Sequence, residues 1–240
     1  MHRFDALPLP QAIPASLIHL ARVRVAEPDV TFTDYLLALE TACFARIVLR
    51  RPTRRPSLRR WFAIFFGAAS AASLAGGTVH GFFGGEETLG HRILWPASMI
   101  AIGGGAFALS AVGAELRFRP AVARRVTIAA ATATAGYAAV ILFVSHDFRV
   151  AVVAYLPAAS FLLVVLVRRF GERRERDVLI GVAAIVLAFA AAGVQQGKVA
   201  LHPRYADHNA LYHLIQAVSF ACFYRFACRL LDRAPAVATP

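Results

Sequence analysis

The side chains with chemistry to offer are histidines and carboxylates gathered toward the same ends of several apolar stretches. Asp34 and Glu40 sit inside the first stretch, and His80 lies at the end of the second. His91 stands just before the third, and Asp207-His208-Asn209-Ala210-Leu211-Tyr212-His213 opens the last. Imidazole and carboxylate at one level of several helices are the donor types of a Zn²⁺ site, which takes nitrogen and oxygen ligands tetrahedrally. A carboxylate outside the ligand set can instead orient a ligating imidazole. No Ser-His-Asp spacing or reactive cysteine is evident, so a bound cation is the obvious way for this chain to activate water.

Each of these residues also has a plainer reading. Asp34 closes Thr31-Phe32-Thr33-Asp34, which is helix-capping chemistry as well. Glu40 lies too deep for that; it must be protonated, paired, turned to a polar cavity, or hydrogen-bonded to a neighbouring Ser or Thr. His91 and His208 lie near loops, where an imidazole simply meets water. His2, His19, His146 and His202 read as solvated loop residues.

The elements that must position these groups are membrane helices. Seven apolar stretches, at 30–49, 61–83, 93–114, 126–145, 148–167, 178–196 and 209–230, are each about long enough to cross a ~30 Å hydrocarbon layer. The basic connections 50–60, 117–125 and 168–177, with Arg229 and Arg233, alternate with connections 84–92, 145–149 and 197–208 that are poor in Lys and Arg. The positive-inside rule then places the N-terminus outside, the C-terminus in the cytoplasm and every histidine on or near the outer face. The expected fold is all-α: a polytopic seven-transmembrane-helix bundle over 30–231, an external segment 1–29 and a cytoplasmic tail 232–240. Residues 15–25 of the external segment suit a short interfacial helix as well as an unstructured lead-in.

Composition excludes other classes. With 58% hydrophobic residues and a mean hydropathy of +0.58, this is not the composition of a soluble domain. The net charge of +12 does not indicate nucleic acid, because the arginines lie in the loops that set orientation and meet anionic lipid heads. Lys198 is the sole lysine and alanine is abundant, a bias that fits a GC-rich bacterial genome and an inner-membrane location. Cys43, Cys222 and Cys228 fall inside the apolar stretches, so they read as small buried hydrophobes rather than disulfide partners. Runs such as Gly67-Ala68-Ala69-Ser70 and Gly103-Gly104-Gly105 predict close helix packing. Pro96 is expected in the first turn of its helix, and Pro157 is expected to kink the fifth.

Seven spans, an external N-terminus, a histidine in Gly76-Gly77-Thr78-Val79-His80 and a histidine-bearing opening to the last span resemble the CREST superfamily. That superfamily includes the alkaline ceramidases and the progestin and adipoQ receptors. The resemblance implies zinc held by one histidine from the second span and two from the seventh, with a serine one turn before the first histidine and an aspartate near the third span assisting. His80 matches the first ligand and His213 the last. Gly76 stands where the family has serine, with Ser73 on the same helical face; Asn209 stands four before His213, with His208 one residue further back; and His91 lies near the region of the family's aspartate. On this basis His80, His91, His208 and His213 are the candidate metal ligands, and Asp34, Glu40 and Ser73 the candidate catalytic groups.

Three functions then compete. The first is a zinc-dependent hydrolase that cleaves a lipid amide or ester entering from the outer leaflet, with membrane lipids as its surroundings. The second is a receptor or sensor of the same fold, with any metal only structural. The third is a b-type haem protein ligated by His80 and His213. A retinal protein is excluded, since Lys198 lies in a connection.

Overall fold

The computed structural model describes residues 25–202 and 207–232, and among them there is no β-strand. The seven helices are α1 (Pro28–Arg50), α2 (Pro56–Phe82), α3 (Leu89–Arg117), α4 (Pro120–Phe143), α5 (Phe148–Arg173), α6 (Asp177–Gln196) and α7 (His208–Asp232). Six of them, α2 to α7, are long and apolar enough to cross a membrane, and the chain reads as an integral membrane protein. His2, His19 and all but the last residue of the suggested interfacial helix over 15–25 lie outside the described residues.

Local chemistry fixes where the helices begin. Pro28, Pro56 and Pro120 occupy first positions, where the N–H that proline lacks would have no intrahelical partner anyway. Thr88 caps α3 by accepting from the His91 N–H at 3.2 Å. Asp147 caps α5 by accepting from the Arg149 N–H at 2.8 Å. Asp207 caps α7, its Oδ1 accepting from the N–H groups of Asn209 and Ala210 at 2.9 and 2.8 Å. Because Thr88 starts α3 before the apolar stretch, Pro96 lies inside the helix rather than in its first turn.

The helices form a ring. α1 packs on α2, α2 on α3, α3 on α5, α5 on α6, α6 on α7, and α7 returns to α1. α4 stands outside this ring against α3, which is why so little of its surface is buried. The half of the ring away from the histidines is filled by aromatic side chains: Phe65 lies 5.0 Å from Phe223 and 5.6 Å from Phe220, and Phe62 lies 5.4 Å from Phe223, all edge to face. Such contacts add about 0.5–1.5 kcal/mol per pair beyond burial.

α1 and α7 run parallel and are tied at both ends. At one end Thr33 meets His213; at the other the Arg51 guanidinium donates two 2.8 Å bonds to Asp232, and Thr53 donates to the Leu231 carbonyl. α2 runs antiparallel to α1 and approaches it closely through glycines. A Cβ on Gly77 would stand 2.8 Å from the Asp34 Cβ, and one on Gly81 would stand 2.9 Å from the Thr31 hydroxyl. The absence of side chains at these positions lets α2 seat Asp34 against its own surface.

Candidate functional site

The other half of the ring encloses a cavity of ≈ 250 Å³, lined by α1, α2, α3, α5, α6 and α7. Its walls are mostly apolar, with Leu37, Ile102, Phe148, Val152 and Phe189 among them, and Phe65 and Phe220 lie at its deep end, where the aromatic cluster begins. Polar side chains line the part nearer the helix ends: Asp34, Ser73, His80, Ser98, His213 and Gln216. Buried polar groups demand partners, so what each one bonds determines what the cavity can receive.

His213 has a polar neighbour beside each ring nitrogen. Nε2 lies 3.3 Å from Oδ1 of Asp34, and Nδ1 lies 3.1 Å from the Thr33 hydroxyl oxygen. The Thr33 hydroxyl also reaches the carbonyls of Asp29 and Val30, at 2.9 and 3.0 Å. If its single proton stays on a carbonyl, Nδ1–H donates to Thr33. If Thr33 turns and donates to Nδ1, the imidazole proton sits on Nε2, on the side of Asp34. Asp34 and His213 thus stand side by side in the polar part of the cavity, which Ser73 also lines. His80 faces a second carboxylate: its Nδ1 lies 2.9 Å from Oε2 of Glu27, the residue that precedes α1. That hydrogen bond holds the Glu27 carboxyl below its ordinary range.

The family described as DUF6962, a family of unknown function, matches residues 30–232, which cover the ring and every cavity-lining residue. The chain belongs to the DUF6962 family. No curated protein and no solved structure matches it.

Within this DUF6962 fold the candidate residues separate into two groups. Asp34, Ser73, His80 and His213 line the cavity; Glu40, His91 and His208 do not. The reason for His208 is angular. The cavity face of α7 is Asn209, Tyr212, His213, Gln216 and Phe220, and His208 is turned about 100° away from Asn209. Asp207 caps the helix so that it begins at His208, which removes the freedom that an irregular start would give. The His91 ring donates from Nδ1 to the Phe83 carbonyl at 3.1 Å, closing the end of α2. Glu40 lies partly buried on α1, and its Oε2 has no hydrogen-bond partner.

Of the expected zinc ligands, His80 and His213 line the cavity beside Asp34, and His91 and His208 do not. No three His, Cys, Asp or Glu side chains among the described residues form a group able to hold a metal ion. His213 Nδ1 meets the Thr33 hydroxyl, and His91 and His208 lie off the cavity. Glu27, Thr33 and Gln216 escape a sequence-based reading: Glu27 belongs to a proline-rich lead-in, and a single Thr or Gln in a helix carries no spacing signal.

Proposed function

We propose that this protein is a membrane-embedded binding protein of the receptor or sensor class, with an interior cavity that takes a small amphiphilic molecule. The observation that carries this reading is the cavity itself. Its apolar walls grade into a cluster of polar side chains, which matches a molecule with one polar end and one apolar end. The proposed frame is seven spans with the N-terminus outside, in a bacterial inner membrane, so that the polar cluster lies toward the outer leaflet.

α1 is the span that hydropathy alone leaves out, because Asp29, Asp34, Glu40, Arg46 and Arg50 dilute it. Two features support its crossing. Its 23 residues reach about 35 Å and lie alongside α2 and α7 from end to end. Its outward stripe of Phe32, Leu36, Leu39, Cys43 and Ile47 is exposed and apolar at helical spacing, which suits lipid.

The test is extraction. Protein purified in mild detergent and extracted with organic solvent should release a stoichiometric small amphiphile, identified by mass spectrometry. Ala69→Phe and Ala192→Phe, which fill the cavity from two walls, should lose it. An extract without such a compound from wild type, or one unchanged in both variants, would refute the reading.

A hydrolase acting on a lipid amide or ester is a second reading, favoured by one observation: the Asp34–His213 pair can accept a proton at the polar end of the cavity. Turnover of ester and amide substrates that is abolished by His213→Gln would support it. No turnover across a broad panel would leave the binding role alone.

A further inference from the structure

We propose that a phospholipid whose head carries both a phosphate and a primary ammonium group is held in the groove where the start of α2, the end of α3 and the start of α4 meet. The groove lies at the opposite helix ends from the histidines, and the proposal is independent of the interior cavity.

Glu115, near the end of α3, lines this groove together with Ser57 and Trp61 of α2 and Arg124 of α4. One of its carboxylate oxygens is occupied: Oε1 accepts from the Trp61 indole N–H at 2.8 Å and from the Ser57 hydroxyl. Those two bonds fix the carboxylate. Its other oxygen, Oε2, accepts from no group among the described residues, yet it is not one of the wholly buried atoms left without a partner. It therefore keeps surface that an incoming donor can reach. Arg124 is exposed and has no ion-pair partner among the described residues. A carboxylate and a guanidinium thus line one groove without pairing with each other, and a molecule that satisfies both must bring both charges.

The surroundings favour a lipid over a free phosphorylated amine. α4 stands outside the ring with little of its surface buried, so this flank faces the bilayer. Trp61 stands near the end of its span, where tryptophan marks the boundary between hydrocarbon and head groups. Ile128 lies one turn further along α4 than Arg124, lines the groove and is 55% exposed, which gives an acyl chain an apolar surface to follow. The planar fork of Arg124 suits a phosphate, and basic sites between helices at this side of a membrane hold lipid heads. The ammonium then donates to Oε2 of Glu115. A head with phosphate alone brings a like charge to that carboxylate, and a quaternary ammonium has no hydrogen to donate to it.

The test titrates full-length protein, delipidated in detergent, with phosphatidylethanolamine, phosphatidylglycerol and phosphatidylcholine of identical acyl chains, counting adducts by native mass spectrometry. The first phosphatidylethanolamine should bind about tenfold more tightly than the first molecule of either other lipid. Glu115→Gln, which keeps an acceptor for Trp61 and Ser57 but loses the charge, should remove that preference. Arg124→Gln should weaken phosphatidylethanolamine about fivefold. Thr127→Trp, which fills the groove from α4, should abolish the tight step. Equal affinity for the three heads in wild type would mean that lipid merely coats this flank, and would overturn the proposal. So would a preference for either other lipid, or a phosphatidylethanolamine preference that survives in Glu115→Gln or Thr127→Trp. If Glu115→Gln fails to fold, the order of the three lipids in wild type and its loss in Thr127→Trp still decide.

Discussion

Asp34 Oδ1 lies 3.3 Å from Nε2 of His213, joining the second turn of α1 to the second turn of α7 across the polar part of the cavity. Both side chains are almost wholly removed from water, so each depends on its buried polar neighbours, Thr33 among them. Removing one partner leaves the other with less polar company in a buried place, at a cost of about 1–3 kcal/mol. Asp34→Ala and His213→Ala should each destabilise the protein by an amount of that order, and the double variant by less than their sum. Thermal or denaturant melts in detergent would check this, and strict additivity would show that the two residues are not coupled.

The glycine seam between α1 and α2 makes a second prediction. At Gly77 an added Cβ meets the Asp34 Cβ at 2.8 Å and the Tyr35 ring at 3.1 Å, so the helices must separate to admit it. Gly77→Val should cost about 1–3 kcal/mol. At Gly67, where nothing lies within 4 Å, Gly67→Ala should be neutral or slightly stabilising. Equal effects at the two positions would contradict the close approach.

Glu27 gives a pH dependence with a definite sign. Its pKa is lowered in the folded protein, first by the hydrogen bond with His80, so the unfolded chain takes up its proton at a higher pH than the folded one does. The stabilisation is therefore complete above the ordinary value of 4.5 and is lost as the pH falls through the lower folded value. Melting temperatures of wild type and Glu27→Gln should differ at neutral pH and converge below about pH 4. A gap that widens on acidification would reverse the assignment.

Elemental analysis of the purified protein should find well under one equivalent of zinc, since His91 and His208 lie away from the cavity. One tightly held equivalent, lost in His80→Ala, would restore the metal reading.

Cysteine labelling on a cysteine-free background tests the orientation. A probe at Glu86, between α2 and α3, should react from outside intact cells, and one at Arg54, between α1 and α2, only after permeabilisation. The opposite pattern would move the cavity's polar cluster to the cytoplasmic side.

Much of the fold is legible in the sequence because hydropathy alone marks where helices must be in lipid. All seven apolar stretches correspond to helices, extended mainly where arginines continue a helix past its apolar part, as at Arg117 and Arg173. Depth was legible too, since counting turns from the ends puts Asp34, His80 and His213 at one level, and all three line one cavity. Rotation about the helix axis was not. A single residue is worth about 100°, and the Asp207 cap that sets the phase of α7 cannot be told from any other aspartate before a helix. The displacement of α4 from the ring was equally hidden, because its Ala- and Thr-rich sequence reads like that of any tightly packed span.

The most direct test of the interior binding cavity uses the two tryptophans of the chain. Trp95 lines the cavity, whereas Trp61 lies away from it, donating to Glu115 at 2.8 Å. In Trp61→Phe protein, Trp95 alone reports, and titration with bromo-octanol in nanodiscs should quench it along a saturable curve that Ala69→Phe abolishes. Quenching that rises linearly and identically with and without the Ala69→Phe substitution would mean that the amphiphile merely dissolves in the surrounding lipid, and would contradict a binding site within the ring.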